Sequence, residues 1–416
     1  MRWWRYKEGF LGLSTFYWQR RGELIQIALF LLVLFLALWR VERETAFLYF
    51  EDEGSLELLV EGAVIKEDVG LSLRARVVGG GFPELFGRVV SVKLYGMEDV
   101  PSKAFWLYGK VKAEGDKFFV SASWRDIEGI SQSGKSLRER YIQKAEERIE
   151  DPQVRALTFS YLFGESQSLL PNDIYHHFRE TGLVHILVIS GFHVAMFFLV
   201  LRHTLPYPYG IVLATLGTSL YVLFLTPKDP PALRAWLMFL TWVLIKLLQG
   251  RPNSLSILFF SGSLLLLFDP SFSKSFSFWL SFFAVLYIIL GTRLIKTERK
   301  VIEAFLVSFF AFLGVSPMLW SFTTNSAGSI FFTPLVGTLF LPFTIYGILE
   351  IITYFSLPTF PMELLGKLIL FSVKSFSYFD LEVSIPLSLN QAIFISSSGA
   401  IAMYAFGIYR EEREVK

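Results

Sequence analysis

The stretch Phe178–Val194, FRETGLVHILVISGFHV, sets reactive side chains in apolar surroundings. Three of the five histidines lie in or beside it (His177, His185 and His193), with Ser190-Gly191 in its middle. Ionisable groups at membrane depth are costly, so they face a bundle interior or a cavity and mark function by default. Metal ligation by His185 and His193 meets a spacing problem. On a continuous helix their eight-residue separation is about 12 Å along the axis and roughly 80° around it, so sharing an ion requires a break at Gly191. Ser190, three residues before His193, has the spacing of a nucleophile beside a base. No G-x-S-x-G elbow surrounds it and no third member is evident. Two readings of the histidines remain: polar lining of a path, or structural glue that hydrogen-bonds across helices. Ser190-Gly191 lets two helices approach closely or weakens the helix so that backbone groups face a cavity.

Other charged residues carry weaker signals. Asp173, His176, His177 and Glu180 include two i, i+4 pairs, a spacing shared by surface metal sites and by solvated helix faces. Arg179 stands just outside the membrane entrance, suited to a phosphate or a lipid headgroup. Arg234 follows Pro230-Pro231, a good helix start, and sits one turn into an apolar run; snorkelling to the interface is the plain alternative. Glu350 and Lys374 also lie inside apolar runs, and either pair across helices or snorkel. The absence of cysteine removes disulfides and thiolate metal sites. No G-x-x-x-x-G-K-[ST] loop occurs, and Ser131–Ser136 (SQSGKS) lacks the first glycine at the required spacing. No catalytic, cofactor-binding or metal-ligating residue is assigned, and the chain reads as something other than an enzyme.

These residues require a membrane scaffold. Of 416 residues, 53% are apolar and 18% charged, mean hydropathy is +0.48, and a soluble surface needs about a quarter charged. The expected fold is mostly α: a polytopic transmembrane helical bundle of about ten spans, with a small extracytoplasmic β-barrel that is OB-like. Leu24–Trp39 is the first span, preceded by Arg2, Arg5, Lys7, Arg20 and Arg21 against Glu8 and Glu23. No small-residue cleavage site follows, which predicts an uncleaved anchor with its N-terminus in the cytoplasm. Residues 1–50 form that N-terminus and anchor, 51–130 the barrel, 131–180 an amphipathic helical connector, 181–409 the multi-span domain and 410–416 a cytoplasmic tail.

In the barrel region, Leu56–Ile65, Leu71–Val78, Arg88–Tyr95, Ala104–Ala113 and Lys117–Ser123 alternate apolar and polar residues as short strands do. Residues 54–130 hold ten Lys plus Arg against eleven Asp plus Glu. A single-strand binder combines a positive groove with stacking aromatics. The candidates for such contacts are Arg74, Arg76, Arg88, Lys93, Phe105, Trp106 and Tyr108. Further spans are expected near 183–202, 210–226, 232–249, 254–268, 276–291, 301–320, 330–354, 363–379 and 391–409. Arg293, Lys296, Arg299 and Lys300 fall in one loop and Arg251 in another, both cytoplasmic by the positive-inside rule. Span 330–354 contains Pro334 and Pro342, and span 363–379 contains Lys374, so broken or re-entrant segments are expected there.

The Phe178–Val194 run resembles the signature of the ComEC-type competence proteins, inner-membrane channels for DNA uptake in natural transformation. The matching residues are Phe178, Arg179, Gly182, Leu183, His185, Leu187, Ile189, Ser190, Gly191, His193 and Val194. Arg234-Ala235 with Met238, Asp269-Pro270, Phe278–Val285, and then Pro317, Phe322 and Pro334 are similar to later blocks of the family in the same order. The likeness covers roughly residues 50–355. Many members end in a soluble metallo-β-lactamase-like domain. This chain ends seven residues after Tyr409 and has no H-x-H-x-D-H cluster, so the form without that domain is expected. Ser329-Ile330 stand where the family tends to have an Asn-Leu pair.

The resemblance implies a multi-pass inner (cytoplasmic) membrane channel translocating single-stranded DNA into the cytoplasm, its OB-like domain outside. A polyanion crosses hydrocarbon only where a polar, hydrated path replaces its solvation. The candidates for that path are Arg179, His185, Ser190, Gly191, His193, Arg234, Ser281 and Asn325. Besides DNA and the lipid bilayer, the implied partners are a cytoplasmic ATP-driven DNA motor and an extracytoplasmic DNA receptor; no cofactor is implied. Two rival readings use the same residues: a transporter of a smaller solute or lipid-linked intermediate, and an intramembrane hydrolase or nuclease built on the histidines.

Overall fold

The computed structural model describes residues 2–45, 49–67, 70–82, 85, 88–97, 104–114, 117–130, 137–164, 171–187, 189, 191–206, 209–295, 297–321, 325–379, 382–383 and 385–415. The chain opens with a long helix, α1 (Arg2–Thr45), which carries the first apolar stretch. Six strands follow: β1 (Tyr49–Glu67), β2 (Gly70–Gly80), β3 (Val89–Tyr95), β4 (Ala104–Glu114), β5 (Lys117–Ser123) and β6 (Ile127–Ile130). Their order is β1-β2-β3-β5-β4-β6, and β4 also pairs with β1, so five strands close into a barrel. The five strands read from sequence are present, with β1 longer than expected and β6 added as a short partner of β4.

Period-2 alternation sets the barrel's inside and outside. Leu71, Leu73, Ala75 and Val77 of β2, Val90, Val92 and Leu94 of β3, Phe105, Leu107 and Val111 of β4, and Phe118 and Val120 of β5 are all buried in one core. The residues between them point outward.

The connector forms α2 (Leu137–Arg148), α3 (Pro152–Phe163) and α4 (Asn172–Glu180). Asp151 caps α3 by accepting from the backbone N–H groups of Gln153 and Val154 at 2.9 and 3.1 Å. Pro152 then takes the first helical position, where no N–H is needed. Nine of the 12 residues of α3 are buried, so it belongs to the bundle core.

The remaining helices are α5 (Val184–Leu187), α6 (Gly191–Arg202), α7 (Tyr209–Leu220) continued by a π-helical segment (Tyr221–Leu225), α8 (Pro230–Leu247), α9 (Ser254–Phe268), α10 (Phe276–Leu294), α11 (Lys300–Leu319), α12 (Ser329–Ile352), α13 (Phe360–Ser377) and α14 (Leu389–Val415). Two short strands, β7 (Asn325–Ser326) and β8 (Glu382–Val383), pair between them. Among the described residues, six helices are long and apolar enough to cross a membrane: Arg21–Arg43, Pro230–Leu247, Phe276–Leu294, Lys300–Leu319, Ser329–Ile352 and Leu389–Arg410. The ten expected spans are not reproduced as ten such helices. The 183–202 segment divides between α5 and α6, the 15-residue α9 rises only about 22 Å, and α13 carries Glu363, Lys367 and Lys374. Conversely, α12 runs unbroken through Pro334 and Pro342.

A buried polar junction aligns four helices. Glu23, 4% exposed, accepts from Asn253 Nδ2 (2.7 Å), Arg293 Nη2 (2.8 Å) and the Tyr404 hydroxyl (3.1 Å). The start of the α1 apolar stretch, the start of α9, the end of α10 and the late part of α14 therefore meet at one level. The Arg251 and 292–300 loops share that face, as the charge asymmetry predicts.

The α12–α13 turn sits elsewhere than expected. Arg148 donates to the Leu357 carbonyl (3.3 Å), Asp151 pairs with Lys367 (3.2 Å), and Tyr141 packs edge-on against Tyr354. Strict alternation of ten spans would put the connector and residues 355–362 on opposite faces; these contacts put them together.

Candidate functional site

The segment singled out by its histidines is built as α4, a tight turn, α5, a second break and α6. Helix α4 buries Ile174 and Phe178 and exposes Asp173, His176 and Arg179. It ends in a hydrogen-bonded αL cap: Gly182 N–H donates to Arg179 O (3.0 Å) and Leu183 N–H to Phe178 O (2.8 Å), with Gly182 at φ +69°. Glycine adopts that conformation without a Cβ penalty, and Leu183 folds back on Phe178 as this cap favours. The missing side chain has a second use. A Cβ on Gly182 would lie 2.9 Å from Ser329 Cβ and 3.0 Å from Ser326 O. The glycine therefore lets the end of α4 touch the β7–α12 junction.

That contact assembles a buried polar cluster from remote parts of the chain. Thr181 is fully buried and its hydroxyl lies against the carbonyls of His177 and Phe178. Asn325, 7% exposed, donates from Nδ2 to Ser316 Oγ at 2.9 Å. Ser326 is 1% exposed and its hydroxyl has no hydrogen-bond partner among the described residues. Asn325 itself bonds Ser316, and it is Ser326 and Ser329 that approach Gly182 at the end of α4.

The two central histidines part company. His185 is exposed and its Nδ1 donates to the Gly182 carbonyl at 2.8 Å. His193 is 2% exposed, its ring 4.2 Å from that of Tyr161. Tyr161 in turn hydrogen-bonds Thr344 and packs on Phe340 and Phe343. A continuous helix through both histidines is replaced by α5 and α6, because helical pairing stops at Leu187 and resumes at Gly191. Close approach of helices is not what Gly191 supplies: a Cβ there would meet only Ala235 Cβ, at an ordinary 3.6 Å. Ser190 lies outside the described residues.

Ala235 leads to the most informative side chain. Arg234 is 4% exposed; its Nε donates to Ser281 Oγ at 2.8 Å and its Nη1 approaches Met238 Sδ at 3.2 Å. It does not snorkel, and no carboxylate pairs with it among the described residues. A buried cation normally needs a counter-charge to offset its lost hydration. Among the described residues the protein supplies one hydroxyl and one thioether.

The outer candidates are less concentrated. Arg179 is exposed. His176 and His177 both turn toward Glu180 (3.1 and 3.4 Å), and His177 is also tied to Ser377 of α13 at 2.9 Å. No group of three or more His, Asp or Glu among the described residues is placed to hold a metal. Glu350 and Lys374 do not pair. Lys374 is exposed, whereas Glu350 is fully buried, and neither of its carboxylate oxygens has a hydrogen-bond partner of good geometry among the described residues.

In the barrel, Phe105 is a correction: it is fully buried in the core and has no face for a ligand. Arg88 lies over the Phe118 ring at 5.2 Å. Arg74, Lys93 and Tyr108 are exposed, and Arg76 and Trp106 are half-buried. Tyr161, Thr344, Glu23 and Thr181 were not legible as site residues. Each lies in an apolar or amphipathic run, and only its long-range partner reveals it.

Fold and site together define a polytopic membrane protein with a β-barrel, whose bundle buries a cation that has no carboxylate partner among the described residues. The sequence profile of the family described as Competence protein matches residues 162–411, and the chain belongs to that family. It is 36% identical over 389 residues, 92% of both chains, to an uncharacterized protein of Aquifex aeolicus (strain VF5). It is 29% identical over 243 residues to ComE operon protein 3 of Bacillus subtilis (strain 168), covering 56% of this chain but 29% of that protein. A third relative, the uncharacterized protein YcaI of Escherichia coli (strain K12), is 28% identical over 166 residues, 36% of this chain and 21% of its own. No solved structure matches.

Proposed function

We propose that this chain is a cytoplasmic-membrane channel that passes single-stranded DNA inward, its barrel, OB-like in strand order, on the outer side. Arg234 carries the reading. A guanidinium held in a membrane bundle by Ser281 and Met238, with no carboxylate beside it among the described residues, keeps its charge for something anionic. It lies one residue from Ala235, which faces the start of α6. A strand of phosphates is an anion that this family's role in competence supplies. Helix α5 ends at Leu187 and α6 starts at Gly191, and lipid tolerates a helix interrupted at membrane depth only beside protein or a wet cavity. Both the ATP-driven motor and the DNA receptor are assigned to other proteins.

The test compares transformation frequency, normalised to folded and inserted protein, for wild type, a deletion strain and Arg234→Met. Methionine fills the same space without charge. Loss of uptake with normal protein yield is expected; near-normal uptake sinks the reading. A defect confined to one small solute, with DNA entry intact, favours the transporter instead.

A further inference from the structure

The barrel's near-neutral charge conceals a segregated surface. Register across the sheet sets two parallel outward rows. One runs Arg74 (β2), Ser91 (β3), Phe119 (β5), Lys112 (β4) and Glu51 (β1); the next runs Ser72, Lys93, Ser121, Lys110 and Glu53. In these rows the acidic residues fall on β1 and the basic ones on β2, β3 and β4, with β5 contributing Phe119 and Ser121. The boundary is stitched by Lys110 and Glu51, 2.5 Å apart.

Phe119 stands in the middle of that face. Large apolar side chains of a soluble barrel belong inside, yet Phe119 is 42% exposed, because the alternation buries Phe118 and Val120 on either side of it. Its neighbour across the sheet toward β3 is Ser91, and Ser121, two residues along β5 itself, pairs with Lys93. These small hydroxyls leave the ring face open. Tyr95 and Tyr108, 47% and 43% exposed, extend the outward aromatics toward one end of the same strands.

We infer that the outer β2-β3-β5-β4 face, centred on Phe119 with Arg74 and Lys93 at its edge, is a stacking platform for a single-stranded polynucleotide. The choice of a polynucleotide rests on the DNA-uptake reading above; the location does not. Open rings take bases, which stack without regard to sequence, and flanking cations take phosphates. The acidic β1 strand repels the same ligand and confines it to one side of the barrel. Duplex DNA keeps its bases paired and offers no free ring faces, so the platform discriminates in favour of single strands.

The experiment uses the full chain in nanodiscs of neutral phosphatidylcholine and a fluorescent 20-mer of deoxythymidine. Phe119→Leu keeps an apolar side chain and should weaken binding roughly tenfold, whereas Phe119→Trp should retain it. Arg74→Ala should lower the slope of log affinity against log salt by about 0.7, the loss of one phosphate contact on a single strand. Wild-type affinity in Phe119→Leu overturns the platform. So does binding equally strong to vesicles containing phosphatidylglycerol that is insensitive to Phe119, since that is a lipid-headgroup surface. Neither result touches the channel reading, which stands or falls on Arg234→Met.

Discussion

Gly182 and Ser329 touch only because Gly182 has no side chain: a Cβ there would sit 2.9 Å from the serine Cβ. One contact thus joins the helix that carries Arg179 to the junction that carries Asn325. The same glycine holds a left-handed turn at φ +69°.

Gly182→Ala should therefore incur two costs, about 1–2 kcal/mol for the left-handed backbone and a further steric cost at Ser329. Thermal unfolding in detergent should show it. Adding Ser329→Gly should recover the steric part and leave the backbone part. Simple additivity of the two single changes would mean that the contact is not made.

The end of α8 offers the opposite test. Gln249 occupies the left-handed cap position at φ +57°, exposed, with Gly250 N–H donating to Ile245 O at 2.8 Å. Gln249→Gly should stabilise by about 0.5–1 kcal/mol. Gly250→Ala should not, since its Cβ would press on Ile245 Cγ2 at 2.9 Å.

Glu23→Gln removes the charge that Arg293, Asn253 and Tyr404 converge upon. A loss of about 1.5–3 kcal/mol is expected from the charged hydrogen bonds, read as a lower detergent melting temperature. Glu23→Gln with Arg293→Gln should melt higher than Glu23→Gln alone, because the second change removes the stranded cation.

In the barrel, the hydrogen bond and charge of Lys110 hold the Glu51 carboxyl below its usual range. A depressed carboxyl pKa contributes stability that is present above the unfolded value of 4.5 and lost as pH falls through the folded value. The pair is exposed, so the effect is small and screened by salt. The difference in barrel melting between wild type and Glu51→Gln should be seen at pH 7 in low salt. It should shrink steadily as the pH falls below 4.5 and be lost at about 1 M salt. A difference independent of both pH and salt would assign it to something other than ionisation.

Sequence alone determined the membrane class, the five barrel strands and the 178–194 segment, because each is encoded by short-range pattern. Hydropathy over some 20 residues identifies an apolar helix, alternation identifies Leu71–Val78 or Ala104–Ala113, and the glycine, serine and histidines of the segment stand out against apolar neighbours. Side-chain parity was equally legible: it places Phe105 with Leu107, inside, and only the aromatic's chemistry argued otherwise.

What pattern does not encode is which residues meet across the chain. Glu350 and Arg234 look alike in sequence, single charges in apolar runs. Tertiary packing alone gives Arg234 a hydroxyl from α10 and buries Glu350 completely. Glu23 reads as one acid among basic neighbours until Asn253, Arg293 and Tyr404 close around it. The same holds for topology. Hydropathy counts apolar runs and assumes that each crosses, whereas the α12–α13 turn is placed by what it packs against: Tyr141, Arg148 and Asp151 of the connector. In lipid, apolar surface is satisfied almost anywhere, so helix placement follows from polar contacts and close packing between distant segments, which no local window can see.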